Sequence, residues 1–206
     1  MIPLDRSLPG PSELNAYNRV NPNAGPYEFS HDLTFVRVKP IIKEQRNRDQ
    51  GGLCIYCERA IAATAGHIEH IYPKSLAPAR SFAYENMAQS CEGNAGSASY
   101  KHCGHKKDNA VLTVEPGQGC NDFFLVLTDG TLVANSQAPG VTSQLAKALT
   151  DQVASLGLNE PALKRERAAW IMSLVAVQKA DSTALPSFLA DKPYRHILSG
   201  LFPVKT

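Results

Sequence analysis

The sequence predicts an α+β chain in which a small metal-bearing module is set into a mainly α-helical domain. Three observations point that way. Four of the five cysteines, Cys54, Cys57, Cys91 and Cys103, fall together with most of the histidines inside residues 53–110. The stretch FFLVLTDGTLVA (123–134) reads as two strands around an Asp-Gly turn. From residue 142 onward, apolar residues recur at helical spacing.

In chain order, residues 1–52 read as an N-terminal arm and helix. Residues 1–30 are rich in Pro, Gly and Asn with little periodicity, which predicts an irregular arm wrapping the domain. A short helix is expected over about 38–50, starting near Pro40, because proline is tolerated in a first turn, and stopping at Gly51-Gly52. The Cys/His-rich module occupies 53–110. Residues 111–206 hold the hairpin and a helical body. In the hairpin, Asp129-Gly130 asks for positive φ at both turn residues. Leu145, Leu149, Val153 and Leu156 mark one face of a helix over 142–156, closed by Gly157. Leu163, Trp170, Ile171, Leu174 and Val175 mark a second over 160–180, with Asn159 as N-cap. A last short helix is expected near 187–200. The simplest role for these stripes is core.

At 206 residues the chain suffices for one domain, or one with an embedded module. Its 43% hydrophobic and 19% charged residues are those of a soluble globular protein. There is no apolar run of membrane-spanning length and no basic head leading into an apolar stretch, so a cytoplasmic location with no membrane contact is expected. A net charge of +2 announces no polyanionic partner. Locally, however, Lys101, His102, His105, Lys106 and Lys107 crowd together, as do Lys39, Lys43, Arg46 and Arg48. Each group suits a phosphate-binding face, and equally an ordinary solvated surface.

Cysteines in a cytoplasmic chain are not read as disulfides. Cys54 and Cys57 have the spacing with which two thiolates grip one Zn²⁺, and a second pair would complete a tetrahedron. That pair, Cys91 and Cys103, is separated by EGNAGSASYKH, small and polar enough to loop out and return both sulfurs. Reduced cysteines without metal, or a mixed site using His102, are the alternatives. Cys120 stands apart as a plain buried thiol.

A closed structural zinc performs no chemistry, so catalysis would fall to GHIEHIYPKS (66–75). On a strand His67 and Glu69 share one face and His70 takes the other, which suggests separate tasks. His67-Ile-Glu69 satisfies half of the zinc nucleobase-deaminase signature, but the required Cys-x-x-Cys lies upstream instead of downstream. Metalloprotease and phosphate-loop motifs are missing.

The ordered set Cys54-x2-Cys57, Ile68-Glu69-His70-Ile71, Pro73-Lys74-Ser75, Glu85-Asn86-Met87, Ser90-Cys91 and Cys103-Gly104-His105-Lys106-Lys107 resembles the HNH endonucleases. With CIYCER, the Asp-Gly hairpin and LGLNEPALKRERAAWI (156–171), it is similar to the HNH nuclease subunit of Septu and related retron anti-phage systems. The resemblance implies a ββα-metal module hydrolysing phosphodiester bonds. It makes His70 the general base, Glu69 a ligand of a catalytic Mg²⁺ or Mn²⁺, Asn86 the brace of the loop carrying the base, and Lys107, with Lys74, a phosphate contact. His67 has no role to carry over and is expected to face substrate or support the site; His31 and His196 lie outside the module. The partners implied are nucleic acid, DNA before RNA, and an ATPase with an ABC- or SMC-like head, for which the helical body is a docking surface.

Two departures stand out. The second cation ligand is expected directly after the last zinc cysteine, where this chain has Gly104. His105 is then the expected substitute, with Asn109 and Asn94 behind it. The long Cys91–Cys103 spacing is the other departure. Gly104 also admits a second reading, a zinc-stabilised module that binds nucleic acid or protein without cutting.

Overall fold

The computed structural model of the chain describes residues 1–93 and 101–201. The N-terminal segment is not the irregular arm expected of it. It holds two helices, α1 (Ser12–Val20) and α2 (Pro26–His31), and the helix expected over about 38–50 starts earlier, as α3 (Leu33–Asp49). Asp32 starts α3 by accepting hydrogen bonds from the Thr34 and Phe35 amides, which puts Pro40 inside the helix instead of in its first turn. An interior proline costs about 3 kcal/mol. The helix tolerates it because one face buries Phe35, Val38 and Ile42, each worth about 1.5–3 kcal/mol. Gly51 and Gly52, both at positive φ, stop the helix as anticipated. The segment looked aperiodic because its apolar residues are shared among helices too short to show a repeat.

Two strands follow, β1 (His67–His70) and β2 (Met87–Ser90), antiparallel, with His67 opposite Ser90 and His70 opposite Met87. They are joined by residues 71–86, and one turn of helix, α4 (Gly104–Lys107), comes after them. The second hairpin, β3 (Phe124–Val126) with β4 (Leu132–Ala134), lies where the Asp-Gly signal placed it. Its turn differs from the expected one. The Gly130 N–H donates to Leu127 O at 2.8 Å, closing a three-residue loop in which Gly130 takes φ 81° and Asp129 is not at positive φ. A side chain at 130 would also strike Lys164 O, 2.1 Å from an added Cβ.

The helical body comprises α5 (Ser143–Ser155), α6 (Pro161–Ala180), α7 (Leu185–Leu189) and α8 (Arg195–Ser199). The single last helix expected near 187–200 is therefore two, separated by Tyr194 at φ 63°. Asn159 does not cap α6. Its side chain pairs with both backbone groups of Leu132, at 2.8 Å each, sealing the edge of β4, and Glu160 is the cap residue. Leu163, Ile171 and Leu174 are buried as the stripe predicts, and Arg167 joins them, donating to Gly130 O and Leu158 O at 2.7 Å.

Two apolar clusters result. The larger draws on Ile2 and Leu4, the cysteine turn, β3, β4 and the helical body. The smaller joins α1–α3 to Phe82, Tyr84 and Met87 behind the first hairpin. Among the described residues no helix is long and apolar enough to cross a membrane.

Candidate active site

The four cysteines converge. Cys54 and Cys57 lie on a tight turn closed by the Glu58 N–H donating to Cys54 O at 3.0 Å. Cys91 follows β2 and Cys103 precedes α4. All four are buried, with sulfurs within 4.8 Å of one another, and Cys57 and Cys91 are 3.9 Å apart. A tetrahedral Zn²⁺ with Zn–S bonds of about 2.3 Å spaces its sulfurs about 3.8 Å apart, so the cluster fits zinc. Sulfur–sulfur hydrogen bonds hold the Cys91 thiol far below its ordinary range while burial pushes Cys103 up; four thiols this close cannot all ionise without a cation among them. Within the long spacing, His102 N donates to Gly93 O at 3.2 Å, and the loop expected between the two cysteines falls largely on residues 94–100, outside the described ones. His102 Nδ1 sits beside the cluster, 3.1 Å from Cys103 Sγ. Cys120 takes no part and is buried with its thiol donating to Met1 O at 3.6 Å.

Zinc would tie the end of β2 to the start of α4 and so set α4 against β1. The strand alternation holds: His67 Nε2 lies 3.4 Å from Glu69 Oε2 on one face of β1. Glu69 is 7% exposed, and its Oε1 accepts from Lys107 Nζ at 2.9 Å and from the Tyr56 hydroxyl at 3.1 Å. Burial pushes this carboxyl up, but the His67 hydrogen bond and the Lys107 ammonium outweigh it and hold it below its usual value.

His70 is on the other face. Its ring meets Phe29 edge-on, with centroids 4.5 Å apart, and its Nε2 lies 2.9 Å from the Ser81 carbonyl. A carbonyl only accepts, so Nε2 carries the proton and Nδ1 keeps the lone pair. Burial drives the His70 pKa down to about 4, which keeps the ring neutral. Asn86 is fully buried and accepts from Tyr72 N at 2.8 Å while donating to Tyr72 O at 2.9 Å. That clamps the loop following His70. A cleft of about 240 Å³ opens over His67, Glu69, His70, Lys74, Gly104 and Asn109.

Other anticipated residues sit differently. Lys107, expected on phosphate, is 2% exposed and points inward to Glu69 and to His70 O, 3.0 Å away. The reason is that α4 is a single turn pressed onto β1, so its fourth residue faces the strand. His105 Nε2 pairs with Glu92 at 3.0 Å, its ring 4.4 Å from that of His67. Asn109 accepts from Ser75 Oγ at 2.7 Å, and Asn94 lies outside the described residues. Lys106 pairs with Glu160 at 3.4 Å, so most of the 101–107 basic group has an internal partner. Arg46 is fully buried, and Lys43 donates to Thr64 O and Gly66 O at 2.7 and 2.8 Å. Lys74 and Lys39 are half-buried over the same Phe29 ring, 4.7 and 4.9 Å from its centroid, beside His70. His31 is exposed and stacks on Tyr27; His196 pairs with Glu58 at 3.3 Å. Tyr56, Phe29 and the Ser81 carbonyl escaped the sequence reading. Tyr56 lay inside the cysteine motif and could have been flagged, whereas a backbone carbonyl carries no sequence signal.

A zinc-fitting cysteine cluster beside a carboxylate and a lone-pair-bearing histidine fits an HNH nuclease, and sequence comparison bears this out. The chain is 32% identical over 185 residues, 87% of each chain, to a retron Vc95 protein of Vibrio cholerae serotype O1 biovar El Tor whose name assigns it to the HNH endonucleases. The chain belongs to the HNH endonuclease family and is an endonuclease. No family model matches it.

Proposed function

We propose that β1, β2 and α4 form the ββα-metal unit of a metal-dependent nuclease, with Zn²⁺ on the four cysteines as scaffold, Glu69 as carboxylate ligand of a Mg²⁺ or Mn²⁺ ion, and His70 as general base. The observation that carries the reading is the fixed tautomer of His70. Its Nε2–H is held by the Ser81 carbonyl, which leaves the Nδ1 lone pair to take a proton from water attacking a phosphodiester. Asn86 keeps that geometry by clamping Tyr72. The ammonium of Lys107 keeps Glu69 ionised, and an ionised carboxylate oxygen suits a hard cation. When bound, the cation supplies positive charge to the phosphate and the leaving oxygen. Lys74, with Lys39 at the same ring, adds positive potential beside His70 that attracts the substrate phosphate.

The substrate is nucleic acid, DNA before RNA. The relative's retron name supports a role in anti-phage defence. The motifs shared with the Septu nuclease subunit support an ABC- or SMC-like ATPase partner seated on α5–α8, in the cytoplasm. The test of the chemistry is cleavage of plasmid DNA and of RNA with Mg²⁺ or Mn²⁺. His70→Ala is expected to slow cleavage by about 10²–10⁴-fold, with zinc content and fold unchanged. Cleavage at the parent rate would refute the assignment.

A further inference from the structure

The family pattern asks for a second cation ligand at position 104, and Gly104 has none to give. We infer that His67 Nε2 is that ligand, approaching the cation of Glu69 from β1 in place of a side chain from α4. The inference rests on the reading of Glu69 as a cation ligand.

The geometry around Gly104 carries it. A Cβ added there would lie 2.4 Å from Glu69 Oε2 and 2.4 Å from His67 Nε2. The volume a residue-104 side chain would enter is thus already held by an imidazole nitrogen and the free carboxylate oxygen. Gly104 is not at positive φ, so close approach, not backbone conformation, demands glycine here. The separation also fits. His67 Nε2 and Glu69 Oε2 are 3.4 Å apart, and adjacent ligands on an octahedral cation with bonds of about 2.1 Å lie about 3.0 Å apart. Glu69 Oε1 is occupied by Lys107 and Tyr56, so Oε2 is the oxygen left for a cation, and it faces His67. His67 Nδ1 is buried with no hydrogen-bond partner among the described residues. Without a cation the Glu69 carboxylate, which only accepts, holds the ring proton on Nε2; a cation seated between the two would replace that proton, which Nδ1, engaged by no donor, is free to take.

His105 fits the role less well. Its Nε2 is directed to Glu92, whose side chain is 58% exposed, whereas that of Glu69 is 9% exposed and fixed by two donors. His67, Glu92 and His105 do form a second possible ligand group, with ligand atoms within 4.8 Å of one another. The experiment must therefore separate the two sets.

The full-length, zinc-loaded chain is titrated with Mn²⁺, and free Mn²⁺ is read by electron paramagnetic resonance, with zinc content as the check on folding. Glu69→Gln and His67→Ala are each expected to weaken Mn²⁺ binding by about tenfold or more. Gly104→Asn should weaken it too, by crowding both ligand atoms. The double variant His67→Ala/Gly104→Asn should bind better than either single one, because the amide oxygen enters the volume the imidazole vacates. Glu92→Gln and His105→Ala should change little. Parent-like binding by His67→Ala alongside loss in Glu69→Gln overturns the inference and leaves the Glu69 assignment standing. So does loss in Glu92→Gln or His105→Ala as large as in His67→Ala, or a double variant no better than the singles. If Glu69→Gln binds like the parent, or the parent binds no Mn²⁺, both the inference and the reading beneath it fall. Should His67→Ala lose zinc, His67→Gln repeats the comparison with the strand end filled.

Discussion

The two faces of β1 differ sharply although the strand is only four residues long. On one, Glu69 is kept charged by His67 and Lys107; on the other, burial keeps His70 neutral, with Phe29 packed against its ring. Both side chains are buried, 7% and 8% exposed. Burial is enough to keep His70 neutral, whereas at Glu69 the His67 hydrogen bond and the Lys107 ammonium outweigh it. The roles proposed for the two, a carboxylate that stays anionic and a base that stays unprotonated, are thus compatible on adjacent residues.

The largest perturbation should destroy both faces at once. Removing metal with a chelator, or Cys57→Ser, is expected to abolish cooperative unfolding of the module together with all cleavage, since a zinc ion on the four cysteines would join the elements that carry each face. Thermal melting followed with zinc content checks this, and an unchanged melt in the metal-stripped chain would exclude a structural role.

Lys107→Met breaks the polar face and, through its bond to His70 O, touches the other. Leaving Glu69 buried without its cation partner should destabilise the chain by about 3–5 kcal/mol, measured by urea unfolding. A loss under about 1 kcal/mol would assign the pair the worth of a surface ion pair.

Phe29→Leu acts on the apolar face alone and should have the smallest effect on stability. Water reaching the ring would raise the His70 pKa from about 4 toward its ordinary 6.5. A neutral imidazole is the competent base, so the acid limb of the cleavage profile should move to higher pH in the variant. The same shift sets stability. The folded pKa of His70 lies below its unfolded one, so this contribution is complete above about 6.5 and is lost as pH falls toward about 4. The variant should lose less over that interval, and equal slopes would deny the wall its role.

The cysteine pair, the Glu-His dipeptide, Asn86 and the Asp-Gly hairpin were legible because each is a local pattern whose spacing expresses its chemistry. The 3.6-residue stripes of α5 and α6 were legible for the same reason. Of the N-terminal helices, α3 was legible in its later part, but α1 and α2 were not, since their apolar residues pair across helices instead of along one. Lys107 misled because a lysine beside a zinc cysteine looks the same in sequence whether it points to solvent or to a carboxylate. Only its position on a one-turn helix pressed against β1 turned it inward. The same holds at Gly104: the sequence showed that a side chain was missing, and by itself determined which chemistry to look for. Which side chains lie in the space of the missing one depended on two strand residues and a helix start meeting within a few ångströms. Contacts between segments 37 positions apart, like that of Lys107 with His70, are set by packing, and no spacing rule along the chain encodes them.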